Sequence, residues 1–208
     1  MRRVAFLLSA LVIAANAFGG AARTLDYTSP GEGVATIVIN AGKGGIELRA
    51  DASVAITARV EVTAKGAGQR SQDQLGTLTL KGEVRGDTLY LKVASPDGDT
   101  HDIGESWTVR VPARLGIKLN FGVGDVSVFD SAGGVRVNVG VGDVKIEGLN
   151  ASFGEIGAAA GVGSTTLTAP GGRRDGTGFI GTSLSAKGTG TASIHANAGV
   201  GDIIIRLR

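Results

Sequence analysis

Along most of the chain, apolar and polar residues alternate. Val54, Ile56, Ala58, Val60 and Val62 are interleaved with Ala55, Thr57, Arg59, Glu61 and Thr63. A period of two puts one set on each side of a pleated strand, so this stretch predicts a β-strand with one buried face. Two shorter strands are predicted around Ile37 and Ile39 and around Ile46 and Leu48, flanking the glycine-rich run 41–45. Leu78, Leu80 and Val84, then Leu89, Leu91 and Val93, continue the alternation, and Arg85-Gly86-Asp87-Thr88 between them is a hairpin signal. The longest run is Trp107, Val109 and Val111, a break at Pro112, then Leu115, Ile117, Leu119, Phe121 and Val123, all expected to face inward. Residues 64–74 read as a polar loop and 95–105 as a loop with an acidic cluster. No stretch after residue 22 carries a helical period, so the expectation is all-β.

A short phrase then returns: Gly122-Val123-Gly124-Asp125-Val126, Gly140-Val141-Gly142-Asp143-Val144 and Gly199-Val200-Gly201-Asp202-Ile203, with a degenerate copy at Gly161-Val162-Gly163-Ser164-Thr165. The second glycines are spaced by 18, 21 and 38 residues. The last step is close to two units, with Gly178 and Gly181 as the worn copy between. A period near ~20 with glycine turns and β-branched neighbours marks stacked β-layers. Asn recurs four residues before the second glycine, at Asn120, Asn138 and Asn197, and an early copy at Asn40 fits the same layout. Asn and Gly accept left-handed backbone at low cost, so each copy reads as a corner between straight segments. Stacked Asn amides can also bond one another from layer to layer. The predicted fold is a single-stranded β-solenoid, like a parallel β-helix, with layers of about 19 residues and more hairpin-like structure in the N-terminal half.

The start of the chain changes the charge argument. Met1-Arg2-Arg3, an apolar run from Val4 to Ala15, and Ala15-Asn16-Ala17 make a secretory signal peptide over residues 1–22, with cleavage expected after Ala17 or Ala22. That run is too short to span a bilayer, and residues 23–208 hold no other candidate span. They form one β-repeat domain, with the clearest repeats over 109–208. The full chain has 21 Lys plus Arg against 19 Asp plus Glu, and loss of Arg2 and Arg3 leaves 19 against 19. A nucleic-acid function therefore lacks its basic face. The absence of cysteine excludes disulfides and thiolate zinc.

The run Val109-Arg110-Val111-Pro112-Ala113-Arg114-Leu115-Gly116-Ile117-Lys118-Leu119, leading into Gly-Asp turns, resembles the bacterial putative-adhesin, or toast-rack, β-repeat family. The resemblance is strong over 107–208 and loose over 36–93. It implies a β-solenoid of the cell envelope with no catalytic residues to carry over.

Candidate chemistry is sparse. Asp125 and Asp143, on adjacent layers, could hold calcium, although each directly follows the second glycine and lacks the nine-residue register of calcium-binding repeats. Capping of the turns is the competing role for them and for Asp202. The loop bearing Asp97, Asp99, His101 and Asp102 is the densest polar cluster, yet Asp102 occupies the position an EF-hand reserves for glycine. Gly176-Thr177-Gly178-Phe179-Ile180-Gly181 matches a dinucleotide fingerprint in letters but is followed by turn material in place of a helix. No cofactor is expected. Gly122, Gly124, Gly140, Gly142, Gly161, Gly163, Gly199 and Gly201, with the Asn and Asp of each copy, are assigned to the turns.

The expected function is a non-enzymatic, exported module of the periplasm or cell surface that contacts an envelope protein or glycan, with rows such as Arg136, Lys145 and Glu147 offered to the partner. Its strand edges could support end-to-end self-association. The alternatives are a polysaccharide-active β-helix enzyme, which needs two facing acids in a groove, and a calcium-stabilised secreted repeat.

Overall fold

The computed structural model describes residues 22–64, 69–98, 100, 102–178 and 181–208. The predicted leader up to residue 21 lies outside them, as do Asp99, His101, Phe179 and Ile180. The elements are β1 (Ala22–Pro30), β2 (Thr36–Asp51), β3 (Ala55–Ala64), α1 (Gln69–Thr77), β4 (Thr79–Arg85), β5 (Thr88–Ala94) and β6 (Ile103–Pro112). The repeat region follows with β7 (Gly116–Val123), β8 (Val126–Ser131), β9 (Val135–Val141), β10 (Val144–Gly148), β11 (Phe153–Val162) and β12 (Thr165–Ala169). It ends with β13 (Gly172–Asp175), β14 (Thr182–Lys187), β15 (Ala192–Val200) and β16 (Ile203–Leu207).

The strands form a nearly closed, barrel-like all-β sheet with two broad faces. One face has the order β4-β5-β2-β7-β9-β15-β11-β14, and the other β1-β3-β6-β2-β8-β10-β16-β12-β13. β2 belongs to both, because it runs through a corner at 42–45: its first half pairs with β7 and its second half with β8. At the far end the path is drawn together by the bridge between Thr177 and Ser183. Side chains from the two faces meet between them. Ile117, Leu119 and Phe121 of one face and Val126, Val128 and Ile146 of the other are buried in one core, in which Trp107 and Phe153 are the largest fully buried side chains.

Each repeat supplies one strand to each face, joined by its glycine corner. The layers are 36–51, 116–131, 135–148, 192–207 and 153–169, in that spatial order. The C-terminal repeat is thus inserted between two earlier ones, so layers do not stack in chain order. The expectation of a simple run of 19-residue units needs a second correction over 172–187. Gly178 and Gly181 do not form a worn layer. β13 and β14 turn back antiparallel to β12 and β11 and cover the last layer.

Two further readings are corrected. Part of the predicted loop 64–74 falls in α1, a nine-residue helix. Its helical period is invisible because, among its described side chains, Leu75 alone is buried, with Leu78 just beyond. The Arg23 guanidinium fixes its end by donating to the carbonyls of Leu75 and Gly76, both at 2.7 Å. Val123 follows the inward phase of β7 in sequence but is 44% exposed, because the corner begins there and turns the side chain out.

Candidate functional site at the stacked corners

Each corner turns on its second glycine. Gly44, Gly124, Gly142, Gly163 and Gly201 have φ between 136° and 143°, a region that side chains other than hydrogen rarely enter. Close stacking adds a second demand. A Cβ on Gly122, Gly140 or Gly199 would lie 2.5 Å from the carbonyl oxygen of the glycine one layer below, and one on Gly161 would lie 2.6 Å away. Backbone hydrogen bonds continue through the bend: Gly124 N–H donates to the Val141 carbonyl at 2.8 Å, Gly142 to Val200 at 2.9 Å and Gly201 to Val162 at 2.9 Å. The corner is therefore a ladder of bare backbone, with layers about 4.8 Å apart.

The Asp residues bond along this ladder. The Asp143 N–H donates to the Asp125 carboxylate at 2.9 Å, the Asp202 N–H to Asp143 at 2.8 Å, and both the N–H and hydroxyl of Ser164 to Asp202, at 2.7 and 2.9 Å. Among the described residues no group of three or more His, Cys, Asp or Glu is placed to hold a metal ion. Asp97 accepts a hydrogen bond from the Ser95 hydroxyl, and Asp102 is exposed. Their loop joins β5 to β6, where the neighbouring layers have a glycine corner.

The ladder is closed at both ends. At one end Glu105 is buried, 5% exposed, and its carboxylate accepts the indole N–H of Trp107 at 2.8 Å and the backbone N–H of Gly42. Burial raises its pKa above the ordinary carboxylate value, and these two donors partly oppose the rise. At the other end the Gly181 N–H donates to the Gly161 carbonyl at 2.8 Å, and the Thr182 hydroxyl to the Gly163 carbonyl at 2.9 Å. The sequence places Glu105 in the acidic loop 95–105, but it lies in β6 and is buried. The signal that distinguishes it from the loop acids is its phase: Glu105 stands two residues before Trp107, on the inward side of the same alternation.

On the outer side of the β2–β7–β9–β15 face, four asparagines stack. Asn120 donates its amide to Asn40 Oδ1 at 2.8 Å, Asn138 to Asn120 at 3.0 Å and Asn197 to Asn138 at 3.0 Å. Each uses one donor and one acceptor at most towards each neighbour, leaving further amide valences towards solvent. Beside them runs a shallow groove of about 480 Å³, floored by Gly122 and Gly140 and lined by the four asparagines. Beyond the glycines, at the corner, Val123, Val141 and Val200 are in register on successive layers and exposed.

The two outer faces differ in charge. On the β8–β10–β16 face Lys145 and Arg206 both pair with Glu147, at 2.8 and 3.5 Å, and hold its carboxyl below the usual range, the Lys145 bond contributing most. Arg49 pairs with Glu47 at 2.8 Å and lies 4.4 Å from the Phe129 ring centre. On the asparagine face Lys118, Arg136 and His195 stand side by side on three successive layers. Arg136 is thus on a different face from Lys145 and Glu147, so the three do not form one row.

No family model matches the chain, and no curated protein matches it. Among solved structures it is similar to a putative cell adhesion protein from Clostridium sporogenes, with 19% identity, a TM-score of 0.51, and coverage of 90% of this chain and 100% of that one. That likeness shows the fold. A putative adhesin from Bacteroides fragilis is more distant, with 13% identity, a TM-score of 0.23 and coverage of 88% and 96%. Among the described residues no helix is long and apolar enough to cross a membrane.

Proposed function

We propose that this chain is a non-enzymatic, adhesin-like module of the bacterial envelope, exported by the signal peptide at its N-terminus, whose role is to hold a flat β-surface against an envelope protein or glycan. In this reading it is a β-solenoid of about 19-residue layers, capped by β13 and β14 at one end and by the antiparallel strands β1, β3 and β4 at the other. The observation that carries the proposal is the corner ladder. Its Gly, Asp and Ser groups are spent on bonds between layers, so they build the surface, and the side chains left to meet a partner are those of the outer faces. Ala22 is already paired with Thr63 in β1, so cleavage after Ala17 leaves the first strand whole and is the expected site.

The test is to produce the full chain in a bacterial host, sequence the N-terminus of the mature protein, and sediment it with isolated envelopes. The expected result is an N-terminus at Phe18 and co-sedimentation that salt weakens. Retention of the leader in the cytoplasm, failure to sediment, or turnover of a polysaccharide panel would overturn the proposal.

A further inference from the structure

We infer that the groove beside the asparagine ladder is a binding site for a linear, carboxylated polysaccharide lying across the layers, parallel to the stack. This rests on the reading of the chain as a binding module and names its ligand class. Four observations converge on the groove. The first is charge: Lys118 and Arg136 are exposed neighbours in register. Among the described residues neither makes an ion pair, whereas the cations of the opposite face are neutralised by Glu47 and Glu147. Such cations attract a polyanion at little desolvation cost.

The second is the absence of carboxylate from the groove lining. Glu155 lies beyond it, in register with Lys187. The third is the ladder itself. Asn40, Asn120, Asn138 and Asn197 point their amides the same way, so spare donors and acceptors repeat at each layer, a spacing of about 4.8 Å. A periodic polymer of hydroxyls and carboxylates can satisfy such an array, whereas a compact ligand would meet only one or two rungs. The fourth is shape. The glycine floor, Gly122 and Gly140, lets a chain approach the backbone. Lys118 and Arg136 then pair with uronate carboxylates, and the asparagines with ring hydroxyls.

Affinity electrophoresis of the mature protein in gels containing polygalacturonate tests this, with neutral dextran and single-stranded DNA as the other arms. The expected result is retardation by polygalacturonate alone, weakened by salt. The double variant Lys118→Gln with Arg136→Gln should bind about tenfold more weakly. Val141→Glu, which places an acid at the exposed corner next to Gly140 of the floor, should weaken it as well, while both variants keep the wild-type melting curve. No retardation of the wild type, undiminished retardation of both variants, or equal retardation by dextran or DNA would overturn the site. Envelope sedimentation separates the two levels: if the wild type still sediments but polygalacturonate does not retard it, the module reading stands and the polysaccharide site falls. If neither occurs, both fall.

Discussion

Gly140 and Gly42 occupy the same place in two copies of the corner, yet only one has a glycine layer beneath it. A Cβ on Gly140 would lie 2.5 Å from the Gly122 carbonyl oxygen, whereas one on Gly42 meets nothing within 4 Å. Neither residue has a left-handed φ. The substitution to Ala therefore has the same effect on both unfolded chains, a stabilisation of about 0.4–1 kcal/mol from lost freedom. The difference between the two variants isolates the cost of forcing the layers apart. Overpacking of this kind costs about 1–3 kcal/mol, so Gly140→Ala should be less stable than Gly42→Ala by that amount. For a domain of this size the gap corresponds to roughly 2–12 °C in melting temperature. Gly142→Ala should fall further, because φ of 143° adds about 1–3 kcal/mol of backbone strain. Urea melts with an unchanged slope would show that the effect is on stability and not on the unfolded ensemble. Equal midpoints for Gly140→Ala and Gly42→Ala would refute close stacking of the glycines.

Three other predictions rest on the same ladder. Glu105 has a pKa raised by burial above its ordinary value of 4.5, so the folded state holds its proton more tightly than the unfolded one. Its contribution to stability is then full below about pH 4.5 and is lost as pH rises through the folded value. Glu105→Gln should abolish that slope, and the emission of Trp107, the single Trp of the chain, should lose its matching pH dependence; an unchanged slope would place the titration elsewhere. Asn138 bonds to neighbours on both sides and Asn40 to one, so Asn138→Ala should cost about 1–2 kcal/mol and Asn40→Ala about half as much, measured by chemical denaturation. Asp143→Ala removes the acceptor of the Asp202 N–H and should cost about 1 kcal/mol, without any shift in melting on addition of calcium or a chelator; a calcium-dependent shift in the wild type would reassign the Asp ladder to metal.

The strands were largely legible because alternation reports burial directly. Ile117, Leu119 and Phe121 are inward by phase and buried in the structure. Phase fails where the backbone stops being a strand, as at Val123, since the corner rotates the next side chain outward. The helix α1 was illegible for another reason: nine mostly polar residues held by Leu75 and by an Arg far away in sequence, Arg23, leave no periodic trace. The unpaired Lys118 and Arg136 are likewise visible as letters, but only the register shows that Glu147 neutralises Lys145 on the opposite face and leaves these two alone.

The order of the layers was hidden for a deeper reason. Copies that stack on copies are interchangeable in principle, so Gly140-Val141-Gly142-Asp143 carries nothing that says whether its upper neighbour is the next repeat or the last. What the sequence does hold is the mark of an end. The 153–169 layer has Ala159 in register with Asn197, and Ser164 where the three preceding layers have Asp125, Asp143 and Asp202. An Asp there would have no further corner N–H to accept, and an Asn would have no amide beyond it. Ser164 instead gives two donors downward to Asp202, and its corner carbonyls are closed by Gly181 and Thr182. The degenerate repeat is therefore the terminal one, and the intact C-terminal copy has to lie inside it. Because β15 and β16 bond on both sides, the stack is completed only when residues 192–207 arrive. Until then the edges of β9–β10 and β11–β12 stay open, and an unpaired edge is a template for any strand of matching register.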